Sequence, residues 1–153
     1  NEHVILEEEK VMIFGGTMWS QLFRDPPTLK SSITGYPIYS RDQPITFDMW
    51  NTFFTSFKTE LERRISMCLP DYKILVLTHY APTFKDTLAP RYLDKPNNDF
   101  YCTEVIKDYP LVSCWAFGHT GWNCDYKENS TRVVSNQYYG KDAKYNSKLI
   151  ITL

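Results

Sequence analysis

The sequence predicts an α/β (or α+β) fold, and two features of its hydrophobic pattern lead to that prediction. Short apolar runs of strand length recur along the chain, and between two of them lies one long segment with helical periodicity. The chain has 153 residues, 42% of them hydrophobic and 23% charged, which is typical of one globular domain. We therefore assign residues 1–153 to a single domain.

The first predicted strand is the apolar run 11–14, and Gly15 and Gly16 directly after it indicate a sharp turn. Residues 24–44 follow; they are rich in Pro, Ser, Asp and Gly and show no sustained period. A stretch of roughly 20 residues without regular structure is unusual inside a compact domain. We interpret it as a functional or binding loop.

Residues 46–67 predict a helix, because their apolar side chains recur at intervals of three and four and so share one face. Thr46 is the expected N-cap, Asp48 suits the positive end of the helix dipole, and Pro70 ends the helix. We expect the apolar face to pack on a sheet. Its members are Trp50, Phe53, Phe54, Phe57, Leu61 and Ile65.

Four further strands are predicted after the helix. The runs 74–78 and 111–117 are apolar without alternation, which is typical of strands buried on both faces. The run 131–135 alternates like a half-exposed strand, and 149–153 is expected to be a closing strand.

The segment between the first two of these runs is predicted to be largely irregular. Residues 80–100 form a second long loop, rich in Pro and Asn, and a short helix is possible at 103–108.

Charge and composition exclude several classes of partner. Seventeen basic and eighteen acidic residues give a net charge of −1, so no basic stripe is left for nucleic acid or anionic lipid. No apolar run approaches the roughly 18 residues of a membrane span, and residues 1–10 lack the pattern of a signal peptide. We therefore expect a cytoplasmic protein without nucleic-acid or membrane partners.

The four cysteines form no Cys-x-x-Cys pair and no zinc-finger array, so we interpret them as reduced thiols. They are Cys68, Cys102, Cys114 and Cys124.

Two histidines occupy equivalent places in the pattern. His79 and His119 each follow a predicted buried strand, at its carboxyl end. Ligands of open α/β sheets bind outside the carboxyl ends of the strands, and a rigid backbone there suits a metal ligand. The pair is therefore a candidate metal site, and hydrogen-bonded structural histidines are the alternative.

Other catalytic patterns are missing from the sequence. Gly15-Gly16-Thr17 is not part of a P-loop or of a Gly-x-Gly-x-x-Gly fingerprint, and no Gly-x-Ser-x-Gly elbow occurs. The aspartates of the loops are not paired in a way that indicates general acid–base catalysis, so we interpret them as turn residues or caps. These are Asp42, Asp86, Asp94, Asp99 and Asp125.

Three stretches carry motifs that can be compared with a known family. Residues 74–83 read ILVLTHYAPT, and residues 114–140 read CWAFGHTGWNCDYKENSTRVVSNQYYG. Residues 10–22 read KVMIFGGTMWSQL. Together they resemble the second half of the calcineurin-like metallophosphoesterases, which show Thr-His-x-x-Pro, then Trp-x-x-Gly-His-Thr-His, then a hairpin ending in a Val-Val-Ser-Asn-Gln-like strand.

The resemblance implies a fold and an activity. The fold would be the C-terminal portion of a four-layer α-β-β-α sandwich with mixed sheets. The activity of the family is metal-dependent hydrolysis of phosphate esters by two metal ions at the strand ends. On this resemblance His79 and His119 are both ligands of the second metal ion.

Two departures from the family weaken the expected activity. The second histidine of Gly-His-x-His is replaced by Gly121, which has no side chain to donate. The Asp-x-His, Gly-Asp and Gly-Asn-His-Glu motifs of the family's first half are absent from the chain, and we interpret His3 as an exposed terminal residue rather than a ligand.

The remaining donors limit the chemistry. Two neutral imidazoles can hold one divalent transition metal ion of the Mn, Fe or Zn class weakly, but they cannot balance two adjacent dications. We assign no catalytic residue and expect the chain alone to be inactive towards phosphate esters; its substrate-binding residues are unknown.

Three interpretations stay open at this stage. In the first, a protein partner or an upstream segment supplies the missing N-terminal half of a hydrolase. In the second, the chain is a pseudo-enzyme that serves as a structural or interaction module of a larger assembly. In the third, it is an unrelated α/β domain whose Thr-His and Gly-His turns are coincidental. The loops 24–44 and 80–100 are expected on the histidine side of the sheet.

Overall fold

A computed structural model describes residues 1–24, 39–40, 42–96, 98–139 and 144–153. Its main feature is a six-stranded mixed β-sheet with one long helix packed on one face. This bears out the predicted mixed α/β class. The strands are β1 (Glu2–Leu6), β2 (Val11–Gly16), β3 (Tyr39–Ser40), β4 (Gln43–Pro44), β5 (Lys73–Thr78), β6 (Val112–Ala116), β7 (Cys124–Glu128) and β8 (Thr131–Ser135), and the helices are α1 (Phe47–Met67) and α2 (Pro90–Leu93).

The strand order in the large sheet is β1-β2-β5-β6-β8-β7. Strands β2, β5, β6 and β8 run parallel to one another, whereas β1 and β7 are antiparallel edge strands. The carboxyl ends of the four parallel strands therefore meet at one edge, which we call the carboxyl edge. Strands β3 and β4 form a separate two-stranded hairpin.

Helix α1 matches its prediction closely. Thr46 caps it, and its Oγ1 accepts a hydrogen bond from the backbone N–H of Met49 at 3.2 Å. The predicted apolar face lies against the sheet, and the Phe57 ring meets the Phe14 ring of β2 edge-on at 5.3 Å. The buried members of that face are Trp50, Phe54, Phe57 and Leu61.

Burial alternates along β2 and β5, which corrects the prediction of a strand buried on both faces at 74–78. Ile74 and Val76 point towards α1 and are buried, whereas Leu77 is 41% exposed on the opposite face. The apolar pattern was misleading because α1 covers only one face of this part of the sheet. Strand β8 departs in the other direction: Val133 and Val134 are both buried, although half-exposure was predicted.

Gly15 and Gly16 are the last residues of β2 and not the turn that the sequence predicted. They pair with Leu77 and Thr78 of β5, and the chain turns only at Met18 and Trp19, both with positive φ. A Cβ on Gly16 would overlap Asn1 Oδ1 and would lie 3.0 Å from the Phe57 ring. Close packing against α1, and not turn geometry, therefore favours glycine at this position.

Two predicted elements are absent or shorter in the structure. The chain at 149–153 is not a strand, and both sides of β8 are occupied by β6 and β7. The helix that was possible at 103–108 is reduced to a 3-10 helix at Ile106–Asp108. In the second long loop, 80–100, α2 and a 3-10 helix at Asn98–Phe100 form.

The sequence did not predict β1, the edge strand that contains His3. That histidine is half-buried, and its Nε2 lies 2.9 Å from Arg64 Nη1 of α1. The interpretation as an exposed terminal residue is therefore wrong, because β1 pairs with β2 and brings His3 beneath the helix.

Two further observations concern the thiols and membranes. All four cysteines are free. Among the residues that the structure describes, no helix has the length and apolar character needed to cross a bilayer.

Candidate functional site: a histidine pair at the carboxyl edge

His79 and His119 lie together at the carboxyl edge of the sheet. His79 directly follows β5, and His119 comes three residues after the end of the adjacent parallel strand β6. Their ring centroids are 4.6 Å apart. The structure thus brings together two side chains that are forty positions apart in the sequence, as the strand pattern predicted.

Backbone hydrogen bonds tie the ends of three strands together at this point. The N–H groups of His79 and Tyr80 donate to the carbonyl of Thr17, just beyond β2, at 3.3 and 3.4 Å. The N–H of Gly118 donates to the carbonyl of His79 at 3.1 Å. The two histidines are therefore fixed by the sheet itself, which is how a preorganised ligand pair is held.

His119 has a left-handed backbone, with φ of 66°. This conformation costs an L-residue about 1–2 kcal/mol. Such strain persists only where the surrounding structure imposes it, and it is concentrated at functional sites. Here the N–H of Thr120 also donates to the carbonyl of Gly118 at 2.7 Å, which tightens the turn around His119.

Aromatic rings enclose the His119 imidazole. The centroid of the Tyr80 ring lies 4.5 Å from it, and the Tyr101 ring stacks on it at 5.2 Å. The His119 Nε2 lies 3.2 Å from the carbonyl oxygen of Phe100. Because a carbonyl can only accept, this contact assigns the proton to Nε2 and leaves the lone pair on Nδ1.

These contacts also place parts of the 80–100 loop at the histidines, as expected. The 24–44 loop was also expected at the histidines. Most of that loop, residues 25–38 and 41, lies outside the described part of the chain, and so does this prediction.

Burial keeps both imidazoles neutral near pH 7. It lowers the pKa of His79 below the usual 6.5. Burial, and secondarily the neighbouring His79, lowers the pKa of His119 to about 4, while the hydrogen bond to Phe100 opposes the shift. A neutral imidazole is the form that binds a metal ion.

A glutamine that the sequence analysis did not single out organises the loop after His119. Gln137 Oε1 accepts a hydrogen bond from the backbone N–H of Gly121 at 2.9 Å. Its Nε2 donates to the hydroxyls of Thr120 at 3.1 Å and Ser135 at 2.8 Å. Its place two residues after β8, at the same edge as the histidines, is the feature that could have identified it.

Gly121 occupies the position at which the resembled family has a further histidine. It has φ of 63°, a left-handed conformation that glycine adopts without strain. The loop is therefore built around a glycine and offers no side chain towards the histidine pair from this position.

The donors that the structure brings together here do not fit a two-ion centre. Within the described ranges, no group of three or more His, Cys, Asp or Glu side chains is arranged to hold a metal ion. Transition metals accept imidazole ligands, but two adjacent dications need carboxylates to balance their charge. The aspartates considered above do not supply one. Asp125 is not a turn residue or cap as interpreted, because it lies within β7 and pairs with Arg132 at 2.7 Å. Asp42 and Asp86 have left-handed backbones in turns.

Comparison with known proteins adds one relative. Uncharacterized protein L509 of Acanthamoeba polyphaga mimivirus is 25% identical to this chain in an alignment 151 residues long, which covers 87% of this chain and 51% of that protein. No protein-family model matches the chain, and no solved structure matches it. The similarity to the viral protein extends over most of this chain, which spans about half of the length of that relative.

Proposed function

We propose that this chain is the C-terminal portion of a domain related to the calcineurin-like metallophosphoesterases. Its histidine pair would hold one divalent transition metal ion, and the chain alone would not hydrolyse phosphate esters. The observation that carries the proposal is the 4.6 Å separation of the His79 and His119 rings at the ends of adjacent parallel strands. The relationship to this family is proposed from the sequence motifs around both histidines.

The chemistry of the pair supports the metal-binding part of the proposal. Both imidazoles have lowered pKa values and are neutral near pH 7, so neither must lose a proton to bind an ion. The lone pair of His119 is on Nδ1 because Nε2 donates to Phe100. A divalent ion held by His79 and His119 would supply a Lewis acid for a phosphate ester if the remaining ligands came from elsewhere.

The lack of acidic ligands supports the proposed inactivity of the chain alone. No described carboxylate joins the two histidines in a group that could hold an ion, and Gly121 removes one imidazole. Activity would therefore require carboxylates from an upstream segment or a protein partner.

The same donor set favours a second candidate, a pseudo-enzyme that serves as a structural or interaction module. Gly121 stands where the resembled family has a further histidine, and glycine has no side chain that could act as a ligand. Metal content separates the two candidates: a hydrolase holds a transition metal when all of its segments are present, and the non-catalytic module holds little or none.

The first experiment measures hydrolysis of bis(p-nitrophenyl) phosphate by the purified chain with Mn²⁺, Fe²⁺ or Zn²⁺. We expect no rate above that of the His79→Ala/His119→Ala double variant. A rate that exceeds that of the double variant, with any of the three ions, would contradict the proposal.

The second experiment measures Co²⁺ binding to the same chain by its visible absorption. We expect weak binding that His119→Ala abolishes and that His3→Ala leaves unchanged, since His3 lies beside Arg64 and away from the pair. Equal binding by the chain and the His119→Ala variant would contradict a metal site at the histidine pair. Co²⁺ binding is then measured for the complete encoded polypeptide and for the same two variants made in it. Binding that depends on His119 indicates the hydrolase, and little or no binding indicates the non-catalytic module.

A further inference from the structure

A positively charged groove lies at the edge of the sheet where the parallel strands β5, β6 and β8 begin, opposite the carboxyl edge. We call it the amino-edge groove; its volume is about 260 Å³. The polar side chains that line it include Lys73, Ser113, Lys127, Ser130 and Arg132. Three of these five side chains are cationic at pH 7, in a chain whose net charge is −1.

The β7–β8 hairpin places two of these cations directly opposite each other. Lys127 of β7 and Arg132 of β8 are register partners in an antiparallel pair, so their side chains extend from the same face of the sheet. Like charges in this arrangement destabilise a sheet. An anion bound beside the two side chains would reduce this repulsion.

The chain balances only part of the charge of the groove. Asp125 accepts two hydrogen bonds of 2.7 Å from the Arg132 guanidinium, from Nε to Oδ1 and from Nη2 to Oδ2. The ammonium groups of Lys73 and Lys127 have no ion-pair partner among the residues that the structure describes. One of the three cations is therefore neutralised, and two are not.

Two other carboxylates are close to these lysines in the sequence but are engaged elsewhere. Asp71 pairs with Lys10 at 2.6 Å. Glu128 follows Lys127 directly, so its side chain extends from the opposite face of β7, where Oε2 lies 3.5 Å from the Tyr126 hydroxyl. Neither carboxylate therefore balances the groove.

The serine hydroxyls of the groove have different roles. Ser113 Oγ accepts a hydrogen bond from the backbone N–H of Ile74 at 3.3 Å, which leaves its own proton to donate to a ligand. Ser130 Oγ donates to the carbonyl of Pro110 at 2.9 Å and so ties the β7–β8 turn to the chain that leads into β6. The groove thus offers ammonium, guanidinium and hydroxyl donors on backbone segments that are held together.

A small dianion suits this donor set better than a polyanion. Ammonium, guanidinium and hydroxyl groups are typical donors to phosphate oxygens, and two unbalanced positive charges match a dianion. A double-stranded nucleic acid is commonly held by roughly 6–10 phosphate contacts, more than three cations can make. The volume of about 260 Å³ is also below the roughly 300–1,000 Å³ of pockets for drug-sized ligands.

We infer that the amino-edge groove binds a phosphate dianion, either inorganic phosphate or a small soluble phosphate monoester. Lys73 and Lys127 supply the balancing charge, and the Ser113 hydroxyl donates to a phosphate oxygen. Arg132 stays paired with Asp125 and contributes its remaining N–H groups. The groove and the histidine pair lie at opposite edges of the sheet, so this inference does not rest on the proposed function.

NMR titration of the ¹⁵N-labelled chain with inorganic phosphate, at pH 7.5, in EDTA and at constant ionic strength, tests the inference. We expect saturable shifts of the amide resonances of Ser113, Lys127 and Ser130. Lys73→Gln and Lys127→Gln should each raise the Kd at least about five-fold. Lys95→Gln, an exposed lysine of the 80–100 loop, is the matched control and should leave the Kd unchanged. Shifts that do not saturate, or the same Kd in all four proteins, would overturn the inference.

A comparison of ligands separates the possible sources of the phosphate group. Tighter binding of glycerol 3-phosphate would indicate a monoester and tighter binding of inorganic phosphate the free ion, and either result supports the inference. Acetate at the same ionic strength should bind at least about ten-fold more weakly than phosphate. A pentaglutamate peptide that binds more tightly than both phosphates would assign the groove to an acidic protein segment and overturn the inference.

Unfolding in the presence of phosphate provides a second readout. At ten times its Kd, phosphate should raise the folding equilibrium constant about eleven-fold if it binds only the folded chain. This increase should persist in the His79→Ala/His119→Ala double variant and largely disappear, at the same phosphate concentration, in the Lys73→Gln/Lys127→Gln double variant. The reverse pattern would place the phosphate at the carboxyl edge and overturn the inference. Neither readout depends on bound metal or on hydrolysis, so the proposed function and the phosphate groove stand or fall separately.

Discussion

His119 is held in its neutral form by its surroundings. Burial and the neighbouring His79 lower its pKa from 6.5 to about 4 in the folded chain. In the unfolded chain the imidazole returns to its ordinary value, so between pH 6.5 and 4 the unfolded state binds a proton that the folded state does not. Stability is therefore lost as the pH falls through this range and is independent of this group above it.

We predict that lowering the pH from 7 to 4.5 in a chelating buffer costs wild type about 2 kcal/mol more unfolding free energy than it costs His119→Asn. Asn is the matched replacement because it does not titrate and tolerates the left-handed backbone of this position. Urea unfolding at the two pH values measures the difference. Equal losses in both proteins would show that the imidazole is not held neutral.

Gly121 is required by its backbone conformation rather than by contacts. With φ of 63°, it becomes strained once a Cβ is present, so Gly121→Ala should lower the free energy of unfolding by about 1 kcal/mol. Gly15→Ala is the control, since a Cβ there would meet Leu77 only at ordinary contact distances of 3.9–4.0 Å. Chemical denaturation compares the two, and an equal effect of both substitutions would contradict the prediction.

At the scale of elements, helix α1 was the most predictable part of the chain. Its apolar face, its cap at Thr46 and its end before Pro70 are all local properties of the sequence, and the structure reproduces them. Strands were less predictable because their burial depends on neighbours far away in the sequence. The runs 74–78 and 149–153 are both apolar, yet only the first has a place in the sheet, between β2 and β6.

The cap of α1 gives a prediction at this scale. Thr46→Ala removes the hydroxyl that accepts from Met49 and should lower the free energy of unfolding by about 1 kcal/mol. Thr52→Ala in the same helix is the control; its hydroxyl bonds only to the carbonyl of Asp48, and alanine is a better helix former, so its effect should be near zero. Thermal unfolding compares the stability of the two variants. A larger loss of stability in Thr52→Ala than in Thr46→Ala would contradict the prediction.

At the scale of the whole molecule, the sequence predicted the meeting of the histidines but not what surrounds them. The meeting follows from two strands that lie parallel in one sheet and are each followed, within three residues, by a histidine. The contacts of His119 with Tyr80, Phe100 and Tyr101 depend on how the 80–100 segment folds back over the carboxyl edge. No local pattern in the sequence encodes the path of that segment. The same holds for Gln137, which follows β8 but accepts a hydrogen bond from Gly121 in the loop after β6.

Two hydrogen bonds between Asn136 and Asn146 hold the C-terminal tail beside the end of β8, and they yield a prediction about the whole chain. Asn136→Ala removes both hydrogen bonds to Asn146, which together contribute about 1–2 kcal/mol to holding the tail. We therefore expect trypsin to cleave after the exposed Lys148 about ten-fold faster in this variant, while the global unfolding midpoint changes little. Asn98→Ala is the matched control, because its side chain bonds only to Leu93 within its own loop. Mass spectrometry of the released peptide measures the rates, and equal rates in Asn136→Ala and Asn98→Ala would mean that the tail is held by its apolar contacts instead.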